Sequence, residues 1–274
     1  MTVAQDLARL RDRFAASDRL PVVFLGHGTP MNAIEDTAYG RSWAALGQAL
    51  PRPQAILVVS AHWMTRGSTL VDVSAMPRTI HDFYGFPDEL YAQSYPAPGA
   101  PDRAREVLTA LAAHHAEGDD TWGLDHGAWS VLTWLYPDAD VPVFQLSIDM
   151  AADLPHHLEI GRALRDLRRR GILILGSGNV VHNLRAMRRG AGAEPYDWAL
   201  EFDRMVTDAL ETRDLDRLAD RAALGPLLGM AHPSVDHYLP ALTVAGAAEA
   251  GDTLTFMNDS IDLASVSMRS FVFG

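Results

Sequence analysis

The sequence predicts an α/β fold: a single layered α/β/α domain with a central mixed, partly parallel sheet. Three observations predict it. Four short apolar runs read as buried strands: Val22 to Leu25, Ala55 to Ser60, Val141 to Leu146 and Ile172 to Leu175. Segments with helical spacing lie between or after them, the alternation expected of helices laid on a sheet. The C-terminal stretch DTLTFMNDSIDLASVSMRSFVFG reads as further strands, antiparallel ones that complete a mixed sheet.

Taken in order, Ala4 to Ala15 carries the first helical spacing, ahead of the first strand. Arg103 to His114 and Leu158 to Arg169 carry the next two. The segment DWALEFDRMVTDAL, residues 197–210, brings Trp198, Phe202, Met205 and Leu210 to one helical face. Tyr238 to Ala248 is apolar and reads as a helix opened by Asp236 and His237. SYPAPGAP, residues 94–101, reads as a surface loop, because the sequence keeps one character on both sides of it. With no repeat and no low-complexity tract, residues 1–274 read as one domain.

Composition excludes several function classes. A formal net charge of -12 argues against partners held through phosphate, whether nucleic acid or anionic lipid. No apolar run approaches the roughly 18 residues of a membrane span. The charged opening MTVAQDLARLRDRF lacks the apolar segment of a signal peptide, so a cytoplasmic location is expected. The chain has no cysteine, which removes thiolate metal sites, disulfides and cysteine nucleophiles. It has no lysine either; all 23 basic residues are arginine, so Schiff-base chemistry is excluded. Eleven histidines remain. Any metal chemistry must rest on imidazole and carboxylate.

Three of these histidines follow predicted strands: His27 in FLGHGTPMN, His62 in VVSAHW and His182 in LILGSGNVVHN. Ligands of open α/β sheets bind beyond the carboxyl ends of the strands. Parallel neighbouring strands would therefore bring the three to one rim. His126, in GLDHGAW, sits in a similar glycine-flanked turn, and AHPSVDHYLP adds His232 and His237. A lone histidine after a strand is more often a hydrogen-bonding turn residue than a ligand; three beside small residues point to a metal. His114, His115, His156 and His157 lie in or beside helical patterns with polar neighbours and read as solvated. His81, in TIHDFYGFP, reads as a pocket wall or substrate contact. GSGNVVHN is not a dinucleotide turn, since Val181 stands where the third glycine belongs, and it is not a hydrolase elbow, since Leu175 precedes Ser177 by two.

FLGHGTPMN, VVSAHW, TIHDFYGFP, YPAPG, GLDHGAW, VPVFQLSID, GSGNVVHN and HYLP occur in an order that resembles the class III extradiol ring-cleavage dioxygenases, in the branch similar to 4,5-DOPA extradiol dioxygenase. The resemblance runs from about residue 20 to the C-terminus. It implies a metal site of His27, His62 and His237, with His182 as a fourth ligand or as the acid/base histidine and His126 as a second proton-handling residue. It also implies one divalent ion, Fe(II) for activity, and a small aromatic diol and O2 as substrates, the ring of a DOPA-like or other small catechol opening to a muconic semialdehyde. Where the wider family completes its iron site with a glutamate, this segment offers His237, with His232 five residues earlier. Imidazole binds Zn(II) more tightly than Fe(II), so isolated protein is expected to carry zinc. The rival reading is a zinc-dependent hydrolase using a metal-bound hydroxide. It needs a carboxylate base, for which Asp125 is the best candidate. The sequence does not specify an oligomeric state.

Overall fold

The computed structural model describes residues 11–190 and 193–274. Eight strands form one sheet in the order β4-β3-β5-β2-β6-β1-β10-β7. They are β1 (Val22–Gly26), β2 (Ala55–Thr65), β3 (Leu70–Asp72), β4 (Glu117–Asp119), β5 (Val143–Asp149), β6 (Ile172–Gly178), β7 (Leu254–Met257) and β10 (Ser270–Phe273). A separate two-stranded ribbon pairs β8 (Ile261–Asp262) with β9 (Val266–Ser267). The four strands read from apolar runs form the centre of the sheet and are mutually parallel: β5 on β2, β2 on β6, β6 on β1. The C-terminal strand β10 joins antiparallel to β1, and β7 antiparallel to β10, so the sheet is mixed as the sequence predicts.

Side-chain alternation along these strands separates two apolar layers. Val22, Phe24, Leu57, Ile172 and Ile174 face one side, and Val23, Leu25, Ile56, Leu173 and Leu175 the other. The first side is covered by α3 (Pro101–Ala110), α5 (Leu154–Leu164), α6 (Asp197–Glu211), α7 (Leu215–Ala219), α8 (Arg221–Ala231) and α9 (Leu239–Ala247). The second is covered by α1 (Ala38–Ala49), α2 (Asp88–Tyr91) and α4 (His126–Leu135). No helix among the described residues is long and apolar enough to cross a membrane.

Several elements depart from the sequence reading. The first predicted helix falls largely outside the described residues, and 11–15 are helical. Strand β2 does not stop at Ser60; it continues to Thr65 past a register shift between Val59 and Met64, so His62 sits within a bulged strand. His126 is not in a turn but opens α4, with Asp125 as its N-cap accepting the Ala128 N–H at 3.2 Å. Eight of the ten α4 residues are buried, so the helix has no polar face to give it a readable period. In α6 the buried face is Ala199, Phe202, Val206 and Leu210, with Trp198 and Met205 at its edges. The segment 94–101 is no free surface loop: Tyr95, Ala97 and Ala100 are buried, and the Tyr95 hydroxyl donates to the Tyr136 carbonyl at 2.8 Å.

Candidate metal centre

Parallel pairing of β2, β6 and β1 sets their carboxyl ends side by side, and the histidines gather there. His27 follows β1 directly, and its N–H donates to the Gly178 carbonyl at the end of β6 (3.0 Å). The bulge in β2 turns His62 toward it. His237 comes from the far side, on the segment leading into α9, and the Asn179 N–H holds its carbonyl at 2.9 Å. That approach needs Gly178, since a Cβ there would lie 2.2 Å from the His237 carbonyl oxygen. One ring nitrogen from each of His27, His62 and His237 falls within 4.8 Å of the others. The His27 and His62 Nε2 atoms are 3.3 Å apart. Two nitrogens bonded to one tetrahedral ion at about 2.0–2.1 Å stand at about that separation.

The opposite nitrogens of two rings hydrogen-bond an acceptor, and that of the third lies beside a carboxylate. Ser177 Oγ gives its one proton to the Gly127 carbonyl (2.5 Å), so it accepts from His27 Nδ1 at 3.0 Å. His237 Nδ1 donates to Asp236 Oδ1 at 3.0 Å, and His62 Nδ1 lies 3.2 Å from Asp82 Oδ2. His27 and His237 therefore carry their proton on Nδ1 and turn a bare Nε2 inward, as metal-ligating histidines do, and the carboxylate beside His62 Nδ1 favours the same tautomer there. Burial, reinforced by the neighbouring histidines, holds the pKa of His27 and of His237 well below 6.5. Burial and His126 bring His62 down to about 3, although Asp82 opposes them. The donor set is three neutral imidazoles with no carboxylate among them, a set that suits Zn, Fe, Cu or Ni. These residues fit a single divalent ion.

Two more histidines face the same space. His126 is gripped by Asp82, which accepts its backbone N–H on Oδ1 and its Nδ1 on Oδ2, both at 2.8 Å. His182 stacks on His237 and groups with Asp236 and His237 rather than with His27 and His62. Burial lowers its pKa to about 4, so it is neutral near pH 7. Burial pushes the Asp82 carboxyl up, but the hydrogen bonds from His126 and the nearness of the His126 and His62 rings outweigh it and hold Asp82 down to about 2.

Other residues singled out from the sequence lie elsewhere. His232 does not join the cluster; it is buried, and its Nε2 donates to the Val180 carbonyl at 2.8 Å, bracing the segment that carries His182. His81 is not in the cavity wall either: its Nε2 reaches the Gln93 carbonyl at 3.0 Å, behind Phe83. His157 is buried rather than solvated, with Nε2 3.1 Å from the Asp149 carbonyl. Asp125 serves α4, Ser60 (2.6 Å) and Gln145 (3.1 Å), leaving it no free face as a hydrolytic base. Asp82 and Ser177 carry no signal in the sequence. A carboxylate beside one histidine in sequence serves two others in space, and no local spacing announces that.

The five histidines form the floor of a 410 Å³ cavity walled by Phe83, Phe86, Leu184, Met187, Val266 and Met268. Apart from the imidazoles, its lining carries one cation, Arg189, and one anion, Asp262. The carboxylate of Asp262 accepts from the Tyr39 hydroxyl at 2.5 Å. Apolar walls over a polar, converging floor are the ordinary make-up of a small-molecule site.

Comparison with known proteins points to one family. Residues 21–274 match the family described as the catalytic LigB subunit of aromatic ring-opening dioxygenase. The chain is 46% identical over 272 residues to the 4,5-DOPA dioxygenase extradiol of Escherichia coli K12, covering 97% of this chain and 98% of that protein. It is 36% identical to the protein of the same name from Beta vulgaris, covering 91% and 95%. Among solved structures, a crystal structure of an uncharacterized protein from Escherichia coli K12 superposes with a TM-score of 0.80 at 41% identity, covering 93% of this chain and all of that one.

Proposed function

Since the chain belongs to the LigB family of aromatic ring-opening dioxygenases, the class III extradiol group, we propose that it opens a catechol ring with O2 to a muconic semialdehyde, with one divalent ion on His27, His62 and His237. As a member of that family it is an extradiol ring-cleavage dioxygenase. The observation that carries the finer reading is the convergence of three imidazoles whose Nδ1 atoms each lie against an oxygen behind them.

When bound, Fe(II) supplies open positions for the diol oxygens and for O2, and a redox path between them. Three neutral imidazoles bring no charge of their own, so the floor favours a substrate that arrives or becomes anionic. His126 and His182 flank that floor. Each is placed to take a phenol proton and to return one when the ring opens, the two-way role imidazole performs near neutral pH. Phe83, Phe86, Val266 and Met268 hold the aromatic ring and exclude water. Arg189 and Asp262 support a catechol bearing a charged substituent, of the DOPA-like kind named for the relatives, over an unsubstituted one. We assign all of this to one catalytic domain spanning the chain.

The test is anaerobic loading of metal-free protein with Fe(II), followed by oxygen uptake with catechols. Uptake of one O2 per catechol with a yellow ring-opened product is expected. No uptake with any catechol, in protein holding one iron per chain, would overturn the reading.

A further inference from the structure

The Asp82 carboxylate lies against two imidazoles at once. Its Oδ2 is 2.8 Å from His126 Nδ1 and 3.2 Å from His62 Nδ1, while its Oδ1 takes the His126 backbone N–H at 2.8 Å. The two rings sit with their centroids 3.9 Å apart, one at the start of α4 and the other on the bulge of β2. The Asp82 side chain is 17% exposed. We infer that Asp82 is a positioning residue that fixes the tautomer of both rings together, holding His62 as a metal donor and His126 as a proton acceptor through Nε2.

The argument is one of proton counting. A neutral imidazole has one N–H, and an ionised carboxylate only accepts. With both Nδ1 atoms facing Asp82, both protons belong on Nδ1, and both Nε2 lone pairs face the cavity. The two-point grip on His126, backbone and ring, also fixes the angle of the imidazole to its own helix. No single neighbour in sequence could do this, because His62 and His126 lie on different elements.

An amide cannot replace the carboxylate. If Asn kept its oxygen on the His126 backbone N–H, its NH2 group would meet both Nδ1 atoms. Each ring would then have to accept there and carry its proton on Nε2. Turning the amide round would set NH2 against the backbone N–H instead. Loss of an orienting carboxylate through the wrong tautomer is a known route to inactive histidine, worth about 10⁴-fold in a serine protease triad.

The role assigned to His126 rests on the dioxygenase reading; the tautomers do not. They are read directly by ¹⁵N NMR of histidine-labelled, metal-free protein. In wild type both rings should be protonated on Nδ1; in Asp82→Asn both should move to Nε2, with the thermal melt little changed. Metal affinity should fall about 10- to 100-fold, the usual effect of losing an outer partner. Turnover at saturating metal should fall at least 100-fold. Asp82→Ala provides the second variant. Formate added to it should restore part of the turnover by refilling the cavity, and should leave Asp82→Asn unrescued. Native tautomers in Asp82→Asn would overturn the inference whatever the enzyme's substrate. So would two ions per wild-type chain falling to one in Asp82→Ala, because Asp82 would then be a ligand of a second metal. The expected tautomer change in Asp82→Asn, with no catechol turnover in wild type, would instead count against the functional reading alone.

Discussion

The imidazoles of His182 and His237 lie face to face, their centroids 3.5 Å apart and their planes 6° from parallel. Stacked in this way, His182 sits over a proposed ligand rather than beside it, with the cavity at its edge. His182→Ala should keep one metal per chain and still bind catechol, while turnover falls about 10²- to 10⁴-fold, the usual worth of a positioned proton carrier. Metal analysis of the purified variant checks it: an empty site would make His182 a ligand.

His27→Ala, His62→Ala and His237→Ala should each lower metal content well below one per chain and abolish ring cleavage, leaving the fold intact. His232→Ala should differ from them. Its ring spans the core to the Val180 carbonyl, so the variant should melt earlier yet retain its metal. Full metal content in His62→Ala, or an empty site in His232→Ala, would reverse these assignments.

Gly178→Ala tests the geometry that admits His237. The added methyl would strike the His237 carbonyl, backbone that has no rotamer to give. Lower thermal stability and weaker metal binding should appear together. An unchanged metal affinity would show that His237 reaches the site by some other adjustment.

Acid should destabilise the metal-free protein in a defined window. His182, His232 and His157 titrate at about 4, and His62 at about 3, chiefly because burial disfavours the charged ring. In the unfolded chain they take up protons near pH 6.5. Below that value the unfolded state binds more protons than the native one, so stability falls with pH, by up to about 1.4 kcal/mol per pH unit per histidine, until the native pKa is reached. Melting temperatures of metal-free protein should therefore drop between pH 7 and 5. A flat profile would contradict the buried, neutral state of these rings.

Away from the centre, Arg168 and Asp252 are both fully buried and joined by two hydrogen bonds, of 2.7 and 2.9 Å. Asp252→Ala would strand a buried guanidinium at a cost of about 3–5 kcal/mol. Denaturant unfolding measures it. A loss under about 1 kcal/mol, the worth of an exposed pair, would mean that the Leu20 and Ala247 carbonyls, which also accept from Arg168, satisfy it without Asp252.

The centre of the sheet was legible because strands covered on both faces are continuous apolar runs, and four such runs became four parallel neighbours. Strand ends and motif order likewise drew His27, His62, His126, His182 and His237 to one space, and all five line one cavity. Features without local pattern stayed hidden. The helix α4 is buried nearly all round and shows no amphipathic period, whereas α9, equally buried, was legible as one apolar run. Three histidines have an aspartate next to them in sequence, yet only Asp236 serves its neighbour; Asp125 caps a helix, and Asp82 serves His62 and His126. Adjacent side chains in extended or turning chain point different ways, so a dipeptide says little about which partner its carboxylate finds.

The three converging imidazoles come from β1, the bulge of β2 and the segment before α9, elements that meet only once most of the sheet is paired. Contacts between such distant parts of a chain are among the last to form. A nascent chain that has made β1 and β2 presents at most two of the three donors. Metal therefore has no complete site to template folding early, and the protein should emerge folded and empty. On the proposed reading, metal enters the finished cavity and not the growing chain, so the metal content of the purified protein should follow the supply present after folding.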